Sequence, residues 1–121
     1  MNIDDLVVYK IAYDLEVDIF NYFEGLKSEW RLFQIDQILR SSSSVSANIA
    51  EGWGKRYYPK EFIKFLVIAL GSSDETKHHL KVLYNKKRIN ETDYNKLFSR
   101  YKNLSVRIIN LINSIKSNNN L

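Results

Sequence analysis

Apolar residues recur at steps of three and four along almost the whole chain, and this spacing constrains the fold more than any other feature. The most regular stretch has seven such positions in unbroken succession: Tyr94, Leu97, Tyr101, Leu104, Ile108, Leu111 and Ile115. Alternating steps of three and four place these side chains on one stripe of a helix. We therefore predict a bundle helix here, packed along that stripe.

Start and stop signals divide the chain into four helices of this kind. The predicted boundaries are a cap at Asp4 or Asp5 and an end near Gly25 for the first helix, a cap at Ser28 for the second, Pro59 as the first residue of the third, and a cap at Asn90 for the fourth. Four glycines and one proline provide too few turns for a multi-stranded β fold. The sequence predicts one all-α domain over residues 1–121, an up-down four-helix bundle with a frayed tail at about 117–121.

The second helix contains a serine-rich run over residues 41–46. Serine competes for backbone hydrogen bonds, so local propensity alone favours a loop there. The apolar seam nevertheless continues through the run, and we predict one long helix whose small side chains allow a neighbouring backbone to approach closely. A break in the helix near the serines is the alternative.

The third helix carries more apolar surface than one bundle face needs. Between Phe62 and Leu70 only Lys64 is polar, and the fourth helix adds a second apolar stripe at Ile109 and Ile112. A helix that is apolar nearly all round is buried on more than one side, and exposed apolar patches mark interfaces. We therefore predict a homo-oligomer.

Composition excludes several other classes of protein. There is no cysteine, hence no disulfide framework, no thiol nucleophile and no cysteine-ligated zinc. The acidic start of the sequence does not read as a signal peptide. The longest apolar run, residues 65–70, is far below the ~20 residues of a membrane span. We expect a cytoplasmic protein without a membrane partner.

One spacing is typical of metal sites. Glu75 and His78 form a Glu-x-x-His pair of the kind used by di-iron bundles, which need two such pairs and two further carboxylates. The two histidines, His78 and His79, are adjacent, so one chain cannot supply a second pair. We predict instead surface pairs four residues apart, Asp74 with His78 and Glu75 with His79.

Other catalytic patterns are also missing from the sequence. There is no Gly-x-Ser-x-Gly nucleophile motif, and residues 52–55 lack the remaining features of a phosphate loop. A carboxylate–histidine enzyme would require a bound metal. We predict no enzymatic activity, no metal and no cofactor.

Charge is distributed unevenly along the chain, which carries a formal net charge of +4. Residues 1–40 hold four basic and eight acidic side chains, whereas residues 41–121 hold fourteen basic and six acidic ones. A basic surface attracts anionic partners, of which nucleic acid is the commonest. The alternative is a solvated surface whose lysines serve solubility.

The basic residues form three clusters in the sequence. The first consists of Lys55, Arg56, Lys60 and Lys64 around Tyr57 and Tyr58, the second of Lys77, Lys81, Lys86, Lys87 and Arg88, and the third of Lys96, Arg100 and Arg107. Basic side chains interleaved with aromatic ones suit a phosphate backbone and unpaired bases. We predict contact with RNA or DNA through the first two clusters. A protein-interaction adaptor, with tyrosines packed at a protein interface, is the competing hypothesis.

A distinctive run of residues crosses the second and third predicted helices. It comprises Arg40, Ser44-Val45-Ser46-Ala47-Asn48-Ile49-Ala50-Glu51-Gly52, Gly54-Lys55, Lys60-Glu61-Phe62-Ile63, Phe65-Leu66, Ile68-Ala69, Gly71-Ser72 and Glu75. With the opening Asp5-Leu6-Val7-Val8-Tyr9-Lys10, it resembles the bacterial four-helix-bundle proteins encoded within intervening sequences of large-subunit ribosomal RNA genes. These proteins are also labelled ribosomal proteins. The resemblance covers about residues 4–116, with Ser46 where proline is frequent.

The resemblance implies a four-helix bundle assembled as a ring-like homopentamer without known enzymatic activity. A related branch, the accessory proteins of diversity-generating retroelements, forms basic pentamers that bind reverse transcriptase and nucleic acid. Five copies of this chain at +4 each would carry +20.

The same motif has a structural interpretation. Its characteristic residues in this chain are Asn48, Glu51, Gly52, Gly54, Gly71 and Ser72. We expect Asn48 and Glu51 to satisfy hydrogen bonds inside the bundle or between subunits, with Ser72 or Ser73 as partners.

Overall fold

A computed structural model of the chain describes residues 2–26 and 33–121, and these ranges contain helices and turns but no strand. After a 3₁₀ turn at Ile3–Asp5, the helices are α1 (Val7–Glu24), α2 (Phe33–Gly54), α3 (Pro59–Asn85) and α4 (Glu91–Asn118). The prediction of an all-α, four-helix fold is confirmed. The predicted cap at Ser28 lies outside the described residues.

The helices pack in the order in which they occur along the chain. Each contacts the next, and α1 also contacts α4. The Oγ atoms of Ser44 and Ser72 lie 2.8 Å apart, and Thr76 Oγ1 donates to Ser41 Oγ at 2.8 Å. Earlier residues of α2 therefore meet later residues of α3, so these two helices are antiparallel. This arrangement is that of a helix bundle with short connections.

The core is built from one apolar stripe of each helix. Its largest fully buried side chains are Tyr101, Phe23, Leu15, Ile19, Ile38, Ile49, Leu66, Leu80, Leu83, Leu104, Ile108 and Val45. In the predicted 94–115 seam, the central positions are fully buried and both ends are half-buried. The periodicity thus identified the buried stripe of α4 correctly.

The serine-rich run is helical throughout, as predicted. Ser41, Ser42 and Ser46 are buried, and each hydroxyl donates to the backbone carbonyl three residues earlier at 3.1–3.3 Å. Ser46 also donates to the Glu16 carboxylate of α1. These bonds satisfy the hydroxyls within the helix, so small polar residues can occupy a packed interface.

Two predictions about helix starts have different outcomes. The cap at Asn90 is confirmed, because its side chain accepts from the Asp93 backbone N–H at 2.8 Å. The cap at Asp4 or Asp5 is wrong: α1 begins after Leu6, which contributes no side-chain cap. The 3₁₀ turn occupies residues 3–5 and closes with a 2.9 Å bond from Leu6 N–H to the Ile3 carbonyl.

The C-terminal tail is more ordered than predicted. Helix α4 continues to Asn118, and Asn120 adopts a left-handed conformation with φ of 55°. The Leu121 N–H then returns to the Lys116 carbonyl at 2.9 Å, which closes the helix with a Schellman-type end. The frayed segment expected at 117–121 is therefore largely a capped helix terminus.

The predicted exposed apolar surface on α3 and α4 is found at some positions and not at others. Ile112 is buried in the core, so the predicted second stripe of α4 is wrong at this position, whereas Ile109 is exposed. On α3, Val67 and Ile68 are exposed. Helix α1 adds an outward stripe at Tyr13, Val17 and Phe20, each more than 40% exposed.

Among the described helices, none is both long and apolar enough to cross a bilayer.

Candidate nucleic-acid interface

The first basic cluster lies in the tight connection between α2 and α3. The Lys55 N–H bonds to the Gly52 carbonyl at 2.9 Å, and the Tyr58 N–H bonds to the Lys55 carbonyl at 2.9 Å. These bonds fold the chain back within four residues, so cationic and aromatic side chains from both sides of the connection share one end of the molecule. We name this set the basic–aromatic turn: Lys55, Arg56, Tyr57, Tyr58, Lys60 and Lys64.

Close helix packing fixes the base of the basic–aromatic turn. Gly52 is buried, and a Cβ atom built on it would lie 3.0 Å from Phe65 Cβ and 3.2 Å from Phe62 Cδ1. Because these distances are shorter than most contacts of a Cβ atom, a side chain at this position would displace α3 from α2 by a few tenths of an ångström. Glycine therefore lets the start of α3 pack against the end of α2, which sets the position of the turn.

Arg56 is held between two aromatic rings. Its guanidinium carbon lies 4.4 Å from the Trp53 ring centroid and 4.7 Å from that of Tyr57. Nη1 donates to the Trp53 carbonyl at 3.0 Å, and Nη2 donates to the Tyr57 hydroxyl at 3.2 Å. Planar guanidinium groups stack on aromatic faces and hydrogen-bond in a fixed plane. Arg56 thus orients the Tyr57 ring as well as contributing positive charge.

Two lysines share another ring of the same region. The Nζ atoms of Lys55 and Lys64 each lie 5.8 Å from the centroid of Phe65. Lys60 is exposed one helical turn before Lys64, as the sequence predicted for one face of α3. The structure therefore brings together all six residues of the first predicted cluster.

Tyr57 and Tyr58 are 78% and 69% exposed. Tyr58 also lines a shallow, mainly apolar cleft of about 450 Å³, together with Pro59, Lys60 and the C-terminal Leu121. Aromatic rings with this exposure do not contribute to the protein's own core. They are available to a flat partner such as a nucleobase or an aromatic side chain.

The second basic cluster lies elsewhere. Lys86, Lys87 and Arg88 follow the other end of α3, about 40 Å from the basic–aromatic turn for a helix of 27 residues. Lys77 pairs with the Asp74 carboxylate at 3.0 Å, which neutralises its charge locally. The first two predicted clusters therefore do not form one continuous patch within a protomer.

The aromatic residues beside the second cluster are packed against each other. Tyr84 and Tyr94 stack with centroids 4.5 Å apart and an interplanar angle of 12°. A cleft of about 570 Å³ lies beside them, lined by Tyr22, Tyr84, Asn85, Lys87, Arg88, Ile89, Asn90 and Glu91. In the third cluster, Arg100 forms a 2.7 Å ion pair with Asp18 of α1. The tyrosines beside the second cluster and Arg100 of the third cluster therefore already contact other residues of the protein.

The polar residues of the sequence motif have separate roles. Asn48 donates to the Ser44 carbonyl at 2.8 Å and to Ser44 Oγ at 3.0 Å, and Ser44 in turn contacts Ser72. The prediction that Asn48 forms hydrogen bonds inside the bundle is confirmed, but its partner is Ser44 of the same helix and not Ser72 or Ser73. Glu51 is exposed and does not bond inside the bundle, so of the two predicted arrangements only a hydrogen bond between subunits stays a prediction.

The other two glycines of the motif differ from Gly52. Gly54 and Gly71 are exposed, and a Cβ atom added to either would meet no atom within 4 Å. Only at Gly52, among these three, does the approach of the neighbouring helix require the absence of a side chain.

The two adjacent histidines have different surroundings, His78 being exposed and His79 buried. His79 is buried: its Nδ1 lies 3.1 Å from Gln34 Nε2, and its Nε2 lies 3.8 Å from a Glu75 oxygen. The predicted approach of Glu75 to His79 is found, but the prediction of a surface pair is wrong because His79 is buried. Burial lowers the pKa of His79, which favours a neutral ring. The predicted Asp74–His78 pair is replaced by the Asp74–Lys77 pair. Within residues 2–26 and 33–121, no three histidine or carboxylate groups converge as metal ligands.

Trp53 and Phe65 are site residues that sequence reasoning did not identify. Trp53 precedes Arg56 by three residues near a helix end, a spacing that brings side chains together and could have indicated the contact. The contact of Lys55 with Phe65 depends on how the turn folds back against α3. Sequence spacing gives no signal for it.

Four packed helices with a polar serine layer and a basic–aromatic turn define a small helical-bundle protein. The family model for the 23S rRNA-intervening sequence protein matches residues 4–110, and the chain belongs to this family. The resemblance inferred from the sequence motif is confirmed.

A solved structure supports the same assignment. The chain is similar to a protein of unknown function from the S23 ribosomal protein family of Bacteroides thetaiotaomicron, with a TM-score of 0.80 and 28% sequence identity. The match covers 87% of this chain and 97% of that protein. No curated protein matches the sequence.

Proposed function

We propose that this protein is a non-enzymatic, cytoplasmic, oligomeric bundle protein that associates with RNA through the basic–aromatic turn. The observation that carries the proposal is the arrangement of Arg56 between Trp53 and Tyr57, with lysines on either side. Cationic side chains contact phosphates and exposed aromatic rings contact bases. A surface with both can therefore bind RNA through more of its groups than a surface with cations alone.

The local charge balance also supports this surface. Four basic residues belong to the turn, whereas Glu51 and Glu61 are the acidic residues within the segment 48–66. The first turn of α3 adds backbone N–H groups, and no side chain caps them at Tyr58. Such groups favour anions.

The oligomeric part of the proposal comes from the outward apolar stripe on α1. Tyr13, Val17 and Phe20 lie on one face of that helix and are exposed. A second copy of the chain would bury this face, and the family resemblance implies a homopentamer. Five basic–aromatic turns on one particle would bind a single RNA with much higher avidity than one turn alone.

Salt dependence of binding tests the RNA proposal. The purified protein is titrated into fluorescently labelled structured ribosomal RNA fragments, and anisotropy is recorded at low and moderate salt. We expect affinity to fall steeply as salt rises, because phosphate contacts release counterions. Absence of binding at low salt would refute the proposal and favour the protein-adaptor hypothesis.

Sedimentation tests the assembly. A pentamer has a mass near 71.5 kDa, five times 14.3 kDa. We expect Phe20→Glu to dissociate it without loss of helix content, whereas Asn21→Glu, at the adjacent exposed polar position, leaves it intact. A monomeric wild-type protein at the concentrations used for binding would contradict this part of the proposal.

A further inference from the structure

We propose that the basic–aromatic turn binds unpaired RNA in preference to duplex RNA, with bases stacked on Tyr57 and Tyr58. This inference rests on the proposed RNA association and specifies its substrate class. It arises from the exposure of both rings and from the contacts that hold Tyr57.

The Tyr57 ring is supported by a continuous series of contacts from the core. Phe62 is buried, and its ring meets Trp53 edge to face at 6.4 Å. Trp53 in turn stacks on Arg56, and Arg56 on Tyr57. A ring fixed on one side and 78% exposed has its other face open to solvent. Preorganisation of this kind lowers the entropic cost of ordering a side chain when a ligand binds.

Stacking on such rings requires bases that are not already stacked and paired. In an RNA duplex the base faces are covered by neighbouring base pairs, and the protein meets mainly phosphates and 2′-hydroxyls. Two exposed tyrosine rings would therefore add little affinity for a duplex. In a single strand each base offers a face to an aromatic side chain, whatever its sequence.

The segment 48–66 carries a formal net charge of +2, from four basic and two acidic residues. Lys55, Arg56, Lys60 and Lys64 are offset by Glu51 and Glu61 in the segment 48–66. Arg56 already contacts Trp53 and Tyr57. A modest charge leaves room for stacking on the tyrosines to add to the affinity, with the lysines aligning the phosphate backbone.

The opposite end of α3 shows the contrasting arrangement. There Tyr84 and Tyr94 stack on each other, and each covers one face of its neighbour. The two basic ends thus differ in whether their aromatic rings are presented outward. This difference selects the basic–aromatic turn as the site for unpaired bases.

The test compares one short labelled RNA as a single strand and annealed into a duplex, by anisotropy at fixed low salt. We expect the wild-type protein to prefer the single strand by about tenfold or more. Tyr57→Ala with Tyr58→Ala should remove this preference, whereas Tyr57→Phe with Tyr58→Phe should keep most of it, because phenylalanine retains the stacking face and loses only the hydrogen bond from Arg56. Melting curves confirm that each variant is folded.

Arg56→Lys provides a second readout. Lysine keeps the charge but loses the planar contact with Trp53 and the fork that orients Tyr57. Single-strand affinity should fall by a larger factor than duplex affinity. Because Arg56 orients the ring on which a base would stack, Arg56→Lys should also reduce the quenching of a 2-aminopurine base within the bound single strand.

The outcomes separate the two proposals. Equal, salt-sensitive binding of strand and duplex, unaffected by the alanine changes, would overturn the stacking inference and leave RNA association standing. No salt-sensitive binding to either RNA would overturn both.

Discussion

A methyl group added at Gly52 tests how closely α2 and α3 approach at the base of the basic–aromatic turn. The new Cβ atom would lie 3.0 Å from Phe65 Cβ and 3.4 Å from the Phe62 carbonyl oxygen. These atoms belong to or adjoin the α3 backbone, so a side-chain rotation cannot relieve the contact. Gly52→Ala therefore forces α3 outward.

The magnitude follows from two opposed terms. Overpacking of this kind costs about 1–3 kcal/mol, whereas replacing glycine by alanine within a helix gains about 1 kcal/mol. Gly71→Ala is the matched control, because Gly71 is an exposed helical glycine with no atom within 4 Å of the added carbon. We expect Gly71→Ala to raise the free energy of unfolding by about 1 kcal/mol. Gly52→Ala should fall below that control by about 1–3 kcal/mol.

Thermal and urea denaturation at matched protein concentration measure this difference. For a chain of this length it corresponds to a gap of very roughly 4–12 °C in Tm between the two variants. Gly52→Ala should also weaken RNA binding, since it displaces the turn. Equal stability of Gly52→Ala and Gly71→Ala would refute the close approach and the positioning argument built on it.

Three further changes probe individual contacts. Lys87 closes α3 in a left-handed conformation with φ of 61°, so Lys87→Gly should stabilise the protein by about 1 kcal/mol in urea denaturation, whereas Lys86→Gly, at φ of −85°, should not. The Tyr101 hydroxyl is buried without a hydrogen-bond partner among the described residues. Tyr101→Phe should therefore raise the free energy of unfolding by about 1 kcal/mol, which thermal denaturation would show as a higher Tm. Burial lowers the pKa of His79, so the unfolded chain binds the proton first as pH drops below 6.5; the free energy of unfolding should decline there, and His79→Gln should flatten the decline.

The helical architecture was predictable because it depends on local patterns. The spacing from Tyr94 to Ile115 identified the buried stripe of α4, and Asn90 identified its cap. The serine run was correctly placed within a helix because its neighbours kept the apolar period. These features depend on residues within one or two turns of each other.

The predictions that were wrong concern positions where more than one local structure is compatible with the sequence. The first helix is preceded by a 3₁₀ turn, so acidic residues suitable as caps do not occupy the cap position. Ile112 appeared to belong to a second stripe because 3.6 residues per turn does not match a strict heptad over four turns. The left-handed Asn120, which ends α4, has no reliable sequence signal beyond the preference of asparagine for this conformation.

The candidate site was predictable in part of its membership but not in its geometry, since Trp53 and Phe65 were not identified from the sequence. Charge and aromatic content identified all six residues of the turn. The contacts of Arg56 with Trp53, and of Lys55 with Phe65, depend on the folded path of the connection. The separation of the two basic clusters follows from the length of α3 once both are placed on it.

The most direct test of the central claim compares two variants with the same loss of charge. One removes the four cations of the turn, Lys55, Arg56, Lys60 and Lys64, by alanine substitution. The other removes four cations of α4, Lys96, Lys102, Arg107 and Lys116. Both reduce the formal net charge from +4 to 0.

Binding to structured ribosomal RNA is measured by anisotropy at low and moderate salt, after melting curves confirm folding. RNA association through the basic–aromatic turn predicts that the turn variant loses salt-dependent binding while the α4 variant retains most of it. Equal losses in both variants would show that net charge alone attracts RNA, and would contradict the assignment of this surface.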